Sequence, residues 1–136
     1  MIVAGHSVLV SFWLPGDLTG LAEAAKARDP VWAAPVLWRT EFRSVLAACL
    51  RSGLLTETEA NTAFLNAQKD LGAHEYSVPT GPIMKLVAAS HCTASECEYV
   101  ALAQDLGVPL VTTDPQVIRG FPKIAVSLEK FAKTRK

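Results

Sequence analysis

The 136-residue sequence predicts an α/β fold, a three-layer α/β/α sandwich around a central, mostly parallel sheet. Three observations predict it. Short apolar runs of strand length alternate with longer stretches of helical composition along the whole chain. The run Val108–Val111 is continuously apolar, as expected where helices cover both faces of a parallel sheet. The segment Ser95–Asp114 shows the unit in miniature: a helix opening on one acid, a stop at Gly107, and a short strand ending on another acid.

The elements follow in order. Met1–Ala4 reads as the first strand, and Ser7 as the N-cap of a helix over Val8–Trp13 that Pro15-Gly16-Asp17 breaks. Leu18–Arg28 is Ala-rich and helical, and Val31–Ala34 reads as the second strand. A helix then runs to about Arg51, with Trp38, Phe42, Val45, Leu46 and Cys49 forming an apolar stripe and Gly53 ending it. Thr56-Glu-Thr-Glu59 opens the next helix as a capping box, and this helix reaches about Asp70. His74–Val78 reads as a strand and Pro82–Ser90 as a helix. After the Glu96 helix and the Val108–Val111 strand come a turn through Pro115–Gly120, a strand at Ile124–Leu128 and a helical tail. No repeat or linker interrupts residues 1–136, so one domain is expected.

Half of the residues are apolar, enough for a core without disulfides or a structural metal. Thirteen basic and thirteen acidic side chains cancel, so binding to a polyanion requires a local patch. One stands at the C-terminus: Lys123, Lys130, Lys133, Arg135 and Lys136, read first as a solvated tail. The three cysteines form no CxxC motif and read as reduced thiols, and with His91 they match no zinc-ligand spacing. No apolar run is long enough to span a bilayer, and no secretory leader is legible, so the expected location is cytoplasmic. Glycine-rich phosphate loops and nucleophile elbows are absent from the sequence, which argues against a nucleotide cofactor and a hydrolytic triad.

Three acids carry the chemical reading. Glu41 lies within or beside the stripe of its helix, so it is either paired with Arg39 or Arg43, exposed at the stripe's edge, or bound to a cation. Glu96 closes the capping box Thr93-Ala-Ser-Glu96 and also shares a helix face with Val100 and Ala103. Asp114 ends a strand and precedes Pro115, so it is an N-cap, a ligand in the crevice at the carboxyl ends of the strands, or both. Thr112 and Thr113 offer hydroxyls beside it. His6 reads as a solvated turn residue, with a substitute ligand role as the alternative.

Met1-Ile-Val, Leu14-Pro-Gly, Leu37-Trp-Arg-Thr-Glu41, Glu98-Tyr-Val-Ala-Leu-Ala103 and Pro109-Leu-Val-Thr-Thr-Asp114 together resemble the PIN-domain nucleases, with the VapC-type toxins of toxin–antitoxin pairs the nearest likeness. The resemblance covers nearly the whole chain. It implies a Mg²⁺- or Mn²⁺-dependent ribonuclease, with Glu41, Glu96 and Asp114 as catalytic residues and metal ligands. It also implies an RNA substrate, a small antitoxin protein as partner, a homodimer, and no membrane association. Ser7 keeps the polar position of the family pattern, and Arg39, Arg43 or the C-terminal lysines would meet the RNA backbone. Four positions depart from the pattern: Gly5 replaces the first acid, Glu96 a usual Asp, Ser95 a usual aromatic, and Pro115 a common basic residue. Losing one negative charge weakens a hard-cation site, because Mg²⁺ demands near-ideal octahedral oxygen ligation. Two functions are therefore expected: a metal-dependent endoribonuclease impaired at Gly5, or an inactive PIN scaffold that binds protein or RNA.

Overall fold

A computed structural model describes residues 1–134; Arg135 and Lys136 of the basic C-terminal patch lie outside the described residues. The sheet has five parallel strands in the order β3-β2-β1-β4-β5. They are β1 (Ile2–Ala4), β2 (Trp32–Pro35), β3 (Glu75–Tyr76), β4 (Leu110–Thr112) and β5 (Ala125–Ser127). Registered pairs include Ile2 with Trp32, Val3 with Leu110, and Val111 with Val126. Helices α1 (His6–Trp13), α2 (Thr19–Arg28), α3 (Trp38–Ser52) and α4 (Glu57–Leu71) precede β3 or flank it in sequence. Helices α5 (Thr80–Ala88), α6 (Ala94–Leu106), α7 (Pro115–Gly120) and α8 (Leu128–Lys133) follow.

Strand residues point alternately to the two faces, and each face has its own core. Ile2, Ala4, Trp32, Ala34 and Val111 pack with buried residues of α1–α4 and α8. Val3, Ala33, Leu110 and Ala125 pack with buried residues of α5, α6 and α7. This is the predicted three-layer sandwich. On the first face Trp38 stacks on Phe64 with ring centroids 5.0 Å apart, and Phe42 meets Trp38 edge-on at 5.7 Å. Such aromatic pairs add about 0.5–1.5 kcal/mol each beyond burial.

Local chemistry set most boundaries. Gly53 and Gly107 take the left-handed conformation (φ 79° and 66°) that ends α3 and α6. Both capping boxes form. Several readings change; β3 shrinks from His74–Val78 to Glu75–Tyr76, α5 moves from Pro82–Ser90 to Thr80–Ala88, and β5 shortens from Ile124–Leu128 to Ala125–Ser127. Gly5, not Ser7, caps α1: its carbonyl accepts from Val8 and Leu9, and Ser7 lies inside the helix. Pro115–Gly120 is a short helix, not a turn, because Asp114 caps it and Pro115 fits its first position. Strand β2 begins one residue later than read, and β4 two residues later at Leu110, since pairing with β1 and β5 begins there.

The strand order matters for function. The chain runs from β1 outward through β2 to β3, then returns to place β4 and β5 on the other side of β1. Connections thus diverge between β1 and β4, which opens the crevice where α/β sheets bind ligands.

Candidate functional site

At that crevice lies a cavity of about 490 Å³ lined by Gly5, Ser7, Glu41, Glu96, Thr112, Thr113 and Asp114, among others. Glu96 comes from the first turn of α6. The Thr93 backbone N–H donates to its Oε1 (2.7 Å), while the Glu96 N–H donates to the Thr93 Oγ1 (3.1 Å). Asp114 follows β4 and caps α7, its Oδ1 accepting from the Gln116 N–H at 2.9 Å. The buried Thr112 hydroxyl accepts from the Asp114 N–H (3.1 Å), fixing the backbone turn that aims the carboxylate.

Glu96 and Asp114 line the same cavity, and each shifts the other's acidity. The Asp114 carboxyl, helped by burial, holds Glu96 above the usual carboxylate range. Asp114 is held below it, first by Glu96, then by the backbone N–H groups of Gln116 and Val117 and the charge of Arg119. Of the two, Glu96 is the one that takes up a proton first as pH falls.

Glu41, in the first turn of α3, enters the same cavity but is paired with neither Arg39 nor Arg43. Its Oε1 accepts from the Tyr99 hydroxyl at 2.7 Å. Tyr99 is only 4% exposed; burial and the Glu41 charge push its pKa up, so the phenol stays a donor. Sequence reasoning missed Tyr99. The available signal was a phenol three residues after Glu96, hence on the same helix face, in the apolar run Tyr-Val-Ala-Leu-Ala. Glu98 is also pushed upward, first by burial and then by the Glu41 charge.

The hydroxyl groups are ordered as well. Thr113 Oγ1 donates to Ser7 Oγ at 2.6 Å, joining α1 to the end of β4. That leaves the Ser7 hydroxyl hydrogen free to point elsewhere. His6 is a half-buried first residue of α1 that lines the cavity with its Nδ1 buried and unpartnered, not a solvated turn residue. Gly5 has closed the sheet tightly. A Cβ there would lie 3.0 Å from the Val111 carbonyl oxygen and 3.3 Å from both Cβ and Oγ1 of Thr112.

The predicted cations are elsewhere. Arg39 donates twice to Glu75 (2.7 and 2.9 Å), which also accepts from the Trp38 indole. Arg43 lies over the Phe64 ring and lines a separate groove between α3 and α4. Neither arginine lines the carboxylate cavity, and neither do Lys123, Lys130 or Lys133.

Among the described residues no three His, Cys, Asp or Glu side chains stand together closely enough to hold one ion. The donor set is nevertheless mostly hard oxygen: the carboxyls of Glu41, Glu96 and Asp114 and several hydroxyls, with the His6 imidazole the one nitrogen side chain. That chemistry fits a hydrated Mg²⁺ or Mn²⁺ taken by one or two carboxylates better than an all-protein cage. Cys49, Cys92 and Cys97 are free thiols.

No protein-family model matches the chain. It is 27% identical over 126 residues to Ribonuclease VapC3 of Pyrobaculum aerophilum, an alignment covering 90% of this chain and 96% of that protein. This likeness supports the VapC resemblance drawn from the motifs. Among the described residues no helix is long and apolar enough to cross a membrane.

Proposed function

We propose that this chain is a metal-dependent endoribonuclease of the VapC toxin kind, holding Mg²⁺ or Mn²⁺ less firmly than a chain with an acid at position 5. The observation that carries the reading is the Glu96–Asp114 pair at the diverging strands, with Glu41 on the same cavity. The likeness to a ribonuclease over nine tenths of the chain supports it. Glu96 and Asp114 would hold the cation, and Glu41, oriented by Tyr99, would reach it through water. A bound cation supplies activation of a water and neutralises charge at the RNA phosphodiester. Ser7, through Thr113, and Thr112, through the Asp114 amide, keep the surrounding oxygens in place.

A small antitoxin protein and a homodimeric, cytoplasmic state belong to the same proposal. The groove between α3 and α4, about 580 Å³ and lined by Leu46, Leu50, Phe64 and Leu65, suits the apolar face of a partner helix.

Cleavage of a fluorescent RNA in Mg²⁺, in Mn²⁺ and in chelator tests the reading. The wild type should cleave slowly with either ion and not at all in chelator; cleavage that survives chelation ends the metal proposal. Gly5→Asp should raise the rate by roughly tenfold or more, since ligand placement on the ångström scale changes rates by about 100-fold. Gly5→Ala controls for crowding against Val111. A wild type as fast as Gly5→Asp in excess Mg²⁺ rules out the missing-ligand argument.

A further inference from the structure

An RNA cleft built from carboxylates needs cations close by, and five of the eleven lysines and arginines among the described residues are already engaged. Arg39 is held by Glu75, Lys26 by Asp70 and Lys133 by Glu129, while Arg28 donates to the Phe131 carbonyl. Arg43 sits on Phe64 in the groove between α3 and α4. Arg119, exposed in the last turn of α7, makes no salt bridge among the described residues.

Arg119 lines a second cavity of about 350 Å³ with Ser90, His91 and Gln116. Two walls run from the carboxylate cavity into this one. The first is the loop before α6, where Thr93 lines the former and His91 the latter. The second is α7, where Asp114 and Pro115 line the former and Gln116 and Arg119 the latter. The walls are tied together. The Gln116 side-chain amide donates to the His91 carbonyl, and the Cys92 thiol donates to the Gln116 carbonyl at 3.7 Å. Gly120 packs so closely that a Cβ there would meet Cys92 Sγ at 3.3 Å. The charge of Arg119 also reaches Asp114, where it helps to keep that carboxyl ionised.

We infer that the cavity formed by His91, Gln116 and Arg119 is a phosphate subsite for the RNA strand flanking the scissile bond, with Arg119 as its charged anchor. The inference rests on the ribonuclease reading. Arg119 supplies a charged donor, and the His91 ring and the remaining side-chain N–H of Gln116 add two more. A guanidinium can meet a phosphate through two parallel hydrogen bonds, which a solvated lysine elsewhere on the surface would not reproduce.

The test is fluorescence anisotropy of a non-cleavable 2′-O-methyl single-stranded RNA in chelator across a salt series, with cleavage of ordinary RNA assayed separately. Arg119→Gln should weaken binding by roughly tenfold and reduce the slope of log affinity against log salt by about 0.7, the loss of one single-strand phosphate contact. His91→Ala should weaken binding a few-fold, and Arg119→Lys should restore the slope but not the full affinity. Lys69→Gln, which removes an equal charge from exposed α4, should leave both unchanged. If wild type and Arg119→Gln bind with equal affinity and slope, the subsite is wrong while the ribonuclease reading survives through its cleavage. If binding depends on Arg119 but neither Mg²⁺ nor Mn²⁺ supports cleavage, the phosphate contact at Arg119 stands, while the enzymatic reading and the place of the contact beside a scissile bond fall. A wild type that does not bind the oligonucleotide overturns the subsite.

Discussion

The N-termini of α4 and α6 are built from the same four-residue device and serve different ends. At α4, Thr56 accepts from the Glu59 N–H (3.1 Å) and Glu59 accepts from the Thr56 N–H (2.9 Å). At α6, Thr93 and Glu96 repeat this at 3.1 and 2.7 Å. The local geometry is nearly identical, yet the carboxyls move in opposite directions. Glu59, exposed, is held below the ordinary range by its hydrogen bonds to the Thr56 backbone and hydroxyl. Glu96 is held above it because Asp114 stands opposite. A capping box thus determines where a carboxylate sits, and the tertiary neighbour determines what it can do.

The largest expected contrast lies in activity. Glu96→Gln should lower RNA cleavage by about 100-fold with little change in melting temperature, since Gln also closes a capping box. Glu59→Gln should leave cleavage unchanged, and equal losses in the two variants would break the comparison. Truncating the threonines sharpens it. Thr56→Ala and Thr93→Ala should each cost about 1 kcal/mol of stability in denaturant melts. Only Thr93→Ala should also lower cleavage, by roughly tenfold, because Glu96 then loses the contact that aims it. Tyr99→Phe frees Glu41 in the same way and should lower cleavage by about tenfold with both caps intact.

The smallest effect is in pH dependence, measured on metal-free protein. Glu59 has a lowered value, so it contributes stability above the ordinary glutamate range and loses it as pH falls through its lowered value. Glu96 has a raised value, so its contribution is present below that range and lost as pH rises through the raised value. Between about pH 3 and 6, the stability of wild type relative to Glu59→Gln should therefore grow with pH, and that relative to Glu96→Gln should shrink. Slopes of one sign would show that Asp114 does not distinguish the two caps.

What the sequence disclosed divides along similar lines. The capping boxes, the glycine stops at Gly53 and Gly107 and the stripe through Trp38, Phe42 and Leu46 are local signals, and each is found in the structure. Glu96 and Asp114 were legible as acids at element ends that face one crevice. Contacts between distant residues were not legible. Tyr99 meets Glu41 across 58 positions, and Arg39 meets Glu75 across 36. No periodicity encodes either pairing, so the sequence alone singles out no role for Tyr99 and leaves Arg39 open to Glu41 or to an RNA backbone. The helix α7 is not legible as a helix because six residues are too few for an apolar pattern to repeat.

Gly5 joins the sheet to the first helix through both its peptide groups. Its N–H donates to the Val111 carbonyl at 2.8 Å, and its own carbonyl receives the first two amides that bond back in α1. Any β-carbon added there pushes against Val111, and a few tenths of an ångström of recoil is handed directly to the helix that carries His6 and Ser7. Position 5 is therefore a fulcrum. The Gly5→Asp variant should tilt the scaffold on which Ser7 is mounted, so a second, relaxing substitution along β4 is its natural companion.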